Sequence, residues 1–347
     1  MKLNNIILAI TAGAVLSGAS SCKNADKTFP DSDAGVNVYF AYQYPIRTII
    51  LGDLATFDNT ADNEHRFQIY STMGGSYKGR NIDVEVKVDE SLLDNLRLDD
   101  GTPNGAEIKA LPSNLYTLSG TTIHYNGGYN GCVDVQLADA FFTDPKAVDE
   151  YYVIPLVITQ QTGADGILTG TPIEGGSQIR QNMADWRILP QDYVLYMINY
   201  INKFDGNYLR RGVDDITTSA GTFKRVRHAQ FVESDSVVKV TTKSLTTAVL
   251  PVKVVKGGTP FTCDLLLTFS GDNCTISSAT NGVTVTGSGE FKSKSEKKAW
   301  GDKDRDGLYL KYTIDLGDTK YSSTDTLVAR DRGAAASNRQ FYVKYIK

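Results

Sequence analysis

Between residues 261 and 269, Phe261, Cys263, Leu265, Leu267 and Phe269 recur at every second position, with Thr262, Asp264 and Thr268 between them. A period of two fits an extended strand, whose successive side chains point to opposite faces. The pattern returns at Ile82, Val84, Val86 and Val88, set against Asp83, Glu85 and Lys87. Runs rich in Val, Thr and Tyr fill the chain, glycine is frequent at 31 residues, and helical periodicity is nearly absent. The chain therefore reads as all-β. One exception is residues 89–95, a short helical turn with Asp89 placed to cap it.

Strands are expected at 36–42, 47–51, 66–71, 82–88, 116–118, 121–125, 131–137 and 151–159. In the last of these Pro155 suggests a bulge or an edge position. So many short strands in residues 35–160 argue for a β-sandwich of immunoglobulin type. Residues 161–186 are Gly/Thr-rich and weakly patterned, and read as a linker. Residues 187–347 open with Tyr193–Ile201, apolar on both faces, and continue through further strands to 340–346. Sequential antiparallel strands with short turns suit an up-and-down barrel, in which closure removes exposed edges. A second open sandwich is the competing reading.

The first twenty-two residues set the compartment. Lys2 precedes an apolar run from Ile6 to Leu16, too short to span a bilayer, and Ala19-Ser20-Ser21 lead to Cys22. This is a secretory signal over 1–21 with lipoprotein-type cleavage. Cys22 becomes the lipidated first residue of the mature chain, 22–34 serves as a tether, and the membrane is reached through the lipid alone.

Charge divides the chain. Residues 23–186 hold 11 Lys+Arg against 23 Asp+Glu, and residues 187–347 hold 24 against 17. An acidic half and a basic half support a boundary between them and can attract one another. Lys292, Lys294, Lys297, Lys298 and Arg305 form a basic cluster, but no nucleic-acid module accompanies it and export removes that partner, so no nucleic-acid role is expected. Cys263 and Cys274 do not read as a disulfide. A hairpin about Ser270–Asn273 sets Cys263 opposite a residue near Thr280, well past Cys274.

A catalytic reading finds little machinery. His65, His124 and His228 are scattered, and none has a Ser, Cys or metal partner at diagnostic spacing. No cofactor is implied. Asp302, Asp304, Asp306 and Gly307 begin like a calcium loop, yet the twelfth position is Thr313 where a bidentate acid is needed; a solvated turn is the favoured reading. Glycan binding remains. Sugars dock on flat aromatic rings while planar polar groups bond their hydroxyls. Trp300 lies in the basic hairpin, where an exposed ring is expected. Trp186 sits at the domain junction, as a pocket residue or a packing anchor. Tyr208 with Arg210 and Arg211 lines a barrel mouth, or else Tyr208 packs and the arginines pair with Asp214 and Asp215. Tyr125 and Tyr129 flank the Asn126-Gly127-Gly128 turn.

Several segments resemble a known family. Residues 44–52, Asp58-Asn59, residues 62–65, 88–92, 111–118 and 135–142 look like the immunoglobulin-like first module of exported lipoproteins from Gram-negative glycan degraders, a module that also precedes family 18 endoglycosidase domains. Trp186, residues 189–193 and residues 202–212 resemble a companion module described as lipocalin-like. The resemblance implies an accessory lipoprotein of a starch-utilisation-like system at the outer membrane, facing the cell surface. Such a protein takes a polysaccharide or oligosaccharide ligand and works beside an outer-membrane transporter complex. It implies no catalytic residues, and the alternating β/α pattern of a family 18 barrel is missing after residue 160. A purely structural component of the transporter complex, binding no sugar, is the alternative.

Overall fold

The computed structural model describes residues 30–54, 57–333 and 339–346. Cys22 and the signal segment lie outside the described residues. The fold is all-β, with two sheets facing each other in a first unit and one closed barrel in a second.

In the first unit, a five-stranded sheet runs in the order Gly166–Ile167, Asn37–Tyr39, Arg66–Gly74, Asn130–Leu137, Tyr116–Leu118. The facing sheet runs Ile46–Ile50, Tyr193–Ile201, Tyr152–Thr162, Asp83–Val88, Thr122–His124, with Lys109–Ala110 added beside Tyr152. Their inner faces share one core that includes Val38, Ile69, Val84, Val133, Ile154 and Ile198. The 3-10 turn Glu90–Leu93 is capped as the sequence suggests, Asp89 accepting from the Ser91 amide.

Tyr193–Ile201 corrects the sequence reading. It does not open the second unit but pairs antiparallel with Tyr152–Val157 and parallel with Ile46–Ile50. Its apolar character on both faces has a physical cause. Val194, Ile198 and Tyr200 enter the sandwich core, while Tyr193, Leu195 and Met197 enter a second core on the opposite side. That second core is covered by a small sheet of Val343–Tyr345, Leu96–Leu98 and Ala106–Glu107. The C-terminal strand expected in the barrel thus returns to the first unit, with Phe341 buried there.

The segment 161–186 is likewise no free linker. Gly166–Ile167 pairs with Asn37–Val38, and Thr171–Pro172 pairs with Trp186–Ile188. Pro155 sits in a central strand rather than at a bulge or an edge. Its carbonyl accepts from Asp89, just past the end of the neighbouring strand at Val88, so its missing N–H forgoes only the reciprocal bond at the end of the ladder.

The second unit is a nine-stranded sheet, in which eight strands close because Gly206–Thr218 also pairs with Lys320–Asp331. The extra strand, Gly221–Arg227, extends Gly206–Thr218 beyond the closed part. One long strand, Thr284–Trp300, pairs with Lys303–Asp315. Side chains fill the lumen. Phe204 stacks on Phe269 with ring centroids 3.4 Å apart and meets Phe291 edge-on. Gly287 and Gly289 lie opposite Tyr312 and Leu310, whose bulk crosses the space a Cβ would take. Tyr321 Oη accepts from the Val255 amide and donates to its carbonyl, satisfying backbone groups along an otherwise open strand edge. Cys263 and Cys274 are free thiols: Cys274 faces Phe269, and Asp264 donates its amide to Thr280. No helix of the described residues is long and apolar enough to cross a membrane.

Candidate functional site

A cleft of about 500 Å³ opens between the two units. Its first wall is built by the Asp58-Asn59 and Asp62-Asn63 pairs. Buried Asp62 accepts from the Ile50 amide and pairs with Arg47, and Asn59 donates to the carbonyls of Ile50 and Gly52. Asn63 accepts from the Gly52 amide. These bonds brace the end of the Ile46–Ile50 strand and present Phe57, Asp58 and Thr60 to the cleft. Asp58 accepts both the amide and the hydroxyl of Thr60, which holds its carboxyl below the usual range. Phe57 is 43% exposed.

The second wall is the end of Lys320–Asp331 together with the outer part of the hairpin Thr284–Trp300/Lys303–Asp315. That hairpin carries two register shifts, and Lys294 and Lys298 adopt positive φ of 51° and 49°. Asp306 accepts the Lys294 amide at 2.8 Å; Asp304 accepts the Lys298 amide at 3.1 Å and ion-pairs with Lys297. The alternate aspartates, read from sequence as a weak calcium candidate, thus stabilise bulges. Asp302 meets only Lys298, at the exposed tip. Among the described residues no group of three His, Cys, Asp or Glu side chains could hold a metal ion.

Trp300 is half-buried behind this wall. The Arg330 guanidinium lies 5.2 Å from its ring centroid and itself lines the cleft. Where the units join, Arg332 donates to the carbonyls of Leu51 and Asn202. Asn202 in turn donates to Ser244 and Thr247 and accepts the amides of Phe204 and Asp205.

The other sequence candidates lie elsewhere. Tyr208 is 2% exposed, its hydroxyl bonded to the Phe204 carbonyl, and Tyr125 is 3% exposed, bonded to Ser71; neither offers a ring face to solvent. Tyr208 sits at an inward-facing strand position and Tyr125 just past the strand Thr122–His124, and packing removes both from any mouth or loop tip. Arg210 bonds buried Asp325 and Tyr312, and Arg211 bonds buried Asp235, in place of the expected Asp214 and Asp215. Asp214 is instead held by Arg225, Arg227 and Ser323. Burial alone would raise its carboxyl, but these bonds outweigh burial and bring it to about 2. Trp186 is half-buried, donating to the Ile179 carbonyl. Tyr129 is 52% exposed, its hydroxyl bonded to the Tyr77 carbonyl. Of the aromatic candidates read from sequence, Trp300 bears on the cleft, through Arg330, and the candidate aspartates Asp304 and Asp306 line it directly.

A solved structure from Bacteroides ovatus, of unknown function, matches with a TM-score of 0.83 and 40% identity, over 91% of this chain and 100% of that chain. The chain belongs to the family of that protein. Within it, residues 203–333 match a domain of unknown function, DUF5627, and residues 30–165 match a family of N-terminal domains. More distant likenesses include a multidomain B. ovatus protein containing DUF1735 (TM-score 0.44, 10% identity, 88% and 99% of the two chains). Another is an auxiliary nutrient binding protein from Bacteroides thetaiotaomicron (TM-score 0.33, 13% identity, 86% and 95%). No curated protein matches the chain.

Proposed function

We propose that this family member is a non-catalytic accessory protein of a glycan-uptake system, binding a polysaccharide or oligosaccharide in the cleft between its units. One observation carries this reading: an open cleft of about 500 Å³ brings the exposed Phe57 ring, and an arginine laid on Trp300, together with carboxylates and hydroxyls. Aromatic faces beside convergent planar polar groups are what a pyranose requires. The histidines stay dispersed: His65 meets Asp139, His124 meets Asp83, and His228 bonds the Ala229 carbonyl. None completes a nucleophile–base pair.

The first unit then serves as an immunoglobulin-like platform. The second is a lipocalin-like barrel in strand succession, without a ligand in its filled lumen. The signal over 1–21 and the acyl chains on Cys22 hold the protein at the outer membrane, facing outward, beside a transporter complex. Support for that placement is the apolar run ending in small residues before Cys22, together with the motif resemblance. Tyr129 and Trp186 are secondary contact candidates.

A second reading, a structural component that binds no sugar, is favoured by one surface. Ile173, Met183, Ile188 and Leu189 are 48%, 69%, 60% and 49% exposed on a single segment, the kind of apolar exposure that marks protein contacts. Affinity gels with a polysaccharide panel separate the two. Retardation by a glycan, weakened about tenfold by Phe57→Ala or Trp300→Ala, supports the cleft. Retardation indifferent to both substitutions removes the cleft, and no retardation by any glycan with stable co-purification of a membrane partner supports the structural role.

A further inference from the structure

Resting on the cleft as the glycan site, we infer that its ligand is an acidic sugar, whose carboxylate or sulfate is taken by Arg332, Lys294 and Arg305. The charged groups lining the cleft are in two different states. The acids are mostly engaged: Asp58 by Thr60, Asp304 by Lys297, Asp306 by the Lys294 amide and Ser293, and Asp331 by Asn207 and the Gly333 amide. Asp53 stands exposed without an ion pair.

Of the four cations that line the cleft, Arg330 pairs with Asp331 at 3.5 Å; the other three are not engaged in this way. Among the described residues Lys294 has no carboxylate partner and its side chain is exposed, and Arg305 gives Nε to the Trp300 carbonyl and pairs with no acid. Arg332 is the most telling. Its Nη2 meets two backbone carbonyls, one from each side of the junction, while its Nε is buried with no acceptor. Among the described residues no carboxylate forms an ion pair with it; Asp205 and Asp306 act only at longer range, and Asp205 Oδ2 is taken by Thr242. Burial accordingly pulls the Arg332 guanidinium below its usual range. A desolvated cation without a counter-ion is costly, and a buried N–H without an acceptor adds to that cost. An anionic group entering the cleft supplies both a counter-ion and an acceptor. The engaged acids retain lone pairs for hydroxyls, so the neutral body of the sugar can lie against the Phe57 wall while its charged group meets the arginines.

Matched ligands test this by calorimetry on the full folded chain: polygalacturonate oligomers against their methyl esters, and sulfated dextran oligomers against dextran. The expected result is at least tenfold tighter binding of one acidic form than of its neutral partner. Lys294→Ala/Arg305→Gln should weaken that binding about 10- to 100-fold, the range of lost charge-assisted hydrogen bonds. Lys224→Ala/Lys253→Ala, which removes two exposed lysines outside the cleft, should leave it unchanged. Arg332→Lys keeps the charge without the planar fork and should weaken binding while thermal unfolding shows the chain folded. Neutral glycans bound as tightly, and still dependent on Phe57, would overturn the acidic assignment and leave the glycan reading standing. Acidic binding reduced equally by the control pair would reveal general polyelectrolyte attraction and overturn it as well. Failure of every acidic and neutral glycan would overturn both readings.

Discussion

Arg332, on the way out of the barrel, donates from Nη2 to the backbone carbonyl of Asn202, on the way in, at 2.5 Å. The barrel is thus inserted between two strands of the first unit, Tyr193–Ile201 and Val343–Tyr345, and its entry and exit are tied to each other. A cleft whose walls come from the two units keeps its shape only if such a junction is firm.

Asn202 is 1% exposed and its side chain makes four hydrogen bonds to backbone. Asn202→Ala leaves buried carbonyls and amides unpaired and should cost about 2–4 kcal/mol in urea unfolding. A loss below about 1 kcal/mol would show that the junction does not depend on this residue.

The Asp214 carboxyl at about 2 lies below its ordinary value of 3.8. A lowered folded-state value means that its stabilisation is present above pH 4 and is lost as pH falls toward 2. The shift corresponds to about 2 kcal/mol. Tm measured against pH should show wild type well above Asp214→Asn at pH 6, with the gap closing below pH 3. A gap constant over that range would mean that the carboxylate's charge contributes nothing.

Gly289 lies where an added Cβ would meet Leu310 Cδ2 at 2.5 Å and Cys274 Sγ at 2.9 Å; at Gly287 it would meet the Lys311 carbonyl at 2.5 Å. Gly287→Ala should be the worse tolerated: at Gly289 two of the three neighbours are side-chain ends that can shift, leaving the Tyr309 carbonyl at 2.7 Å, whereas at Gly287 all three are backbone or Cβ atoms within 2.7 Å. Overpacking of this kind costs about 1–3 kcal/mol, readable as a fall in the denaturation midpoint. Equal stability of both variants with wild type would mean that the lumen has slack.

Cys274 is pushed up to about 11 by burial, and burial also raises Cys263, so neither is a ready thiolate. A thiol reagent should label half-buried Cys132 first and the barrel pair only at the rate of unfolding. Prompt native labelling of Cys263 or Cys274 would contradict the closed barrel.

Alternation alone placed most strands, since Phe261–Phe269 and Ile82–Val88 can satisfy their period only as half-buried strands. It could not assign Tyr193–Ile201 to a unit. A strand apolar on both faces signals cover on both sides, but not which sheet supplies it, and here the second cover joins residues 92–108 with the returning strand Val343–Tyr345. Among site residues, Trp300 was legible because a tryptophan amid lysines is conspicuous. Phe57 and Arg332 were not. Each looks ordinary in sequence, and the cleft they share forms only when the chain leaves the first unit and returns. The Asp58-Asn59 and Asp62-Asn63 pairs were the available signal: short polar residues clustered after a strand mark a braced turn, though not what the turn faces.

Hydrogen–deuterium exchange on the full chain, with and without a retained oligosaccharide, tests the central claim most directly. A glycan seated between the units should slow exchange in residues 57–63, 304–306 and 329–333 and leave the strand Arg66–Gly74 unchanged. Slowing confined to the exposed Tyr70 and Tyr129 face, with the cleft segments unaffected, would contradict it.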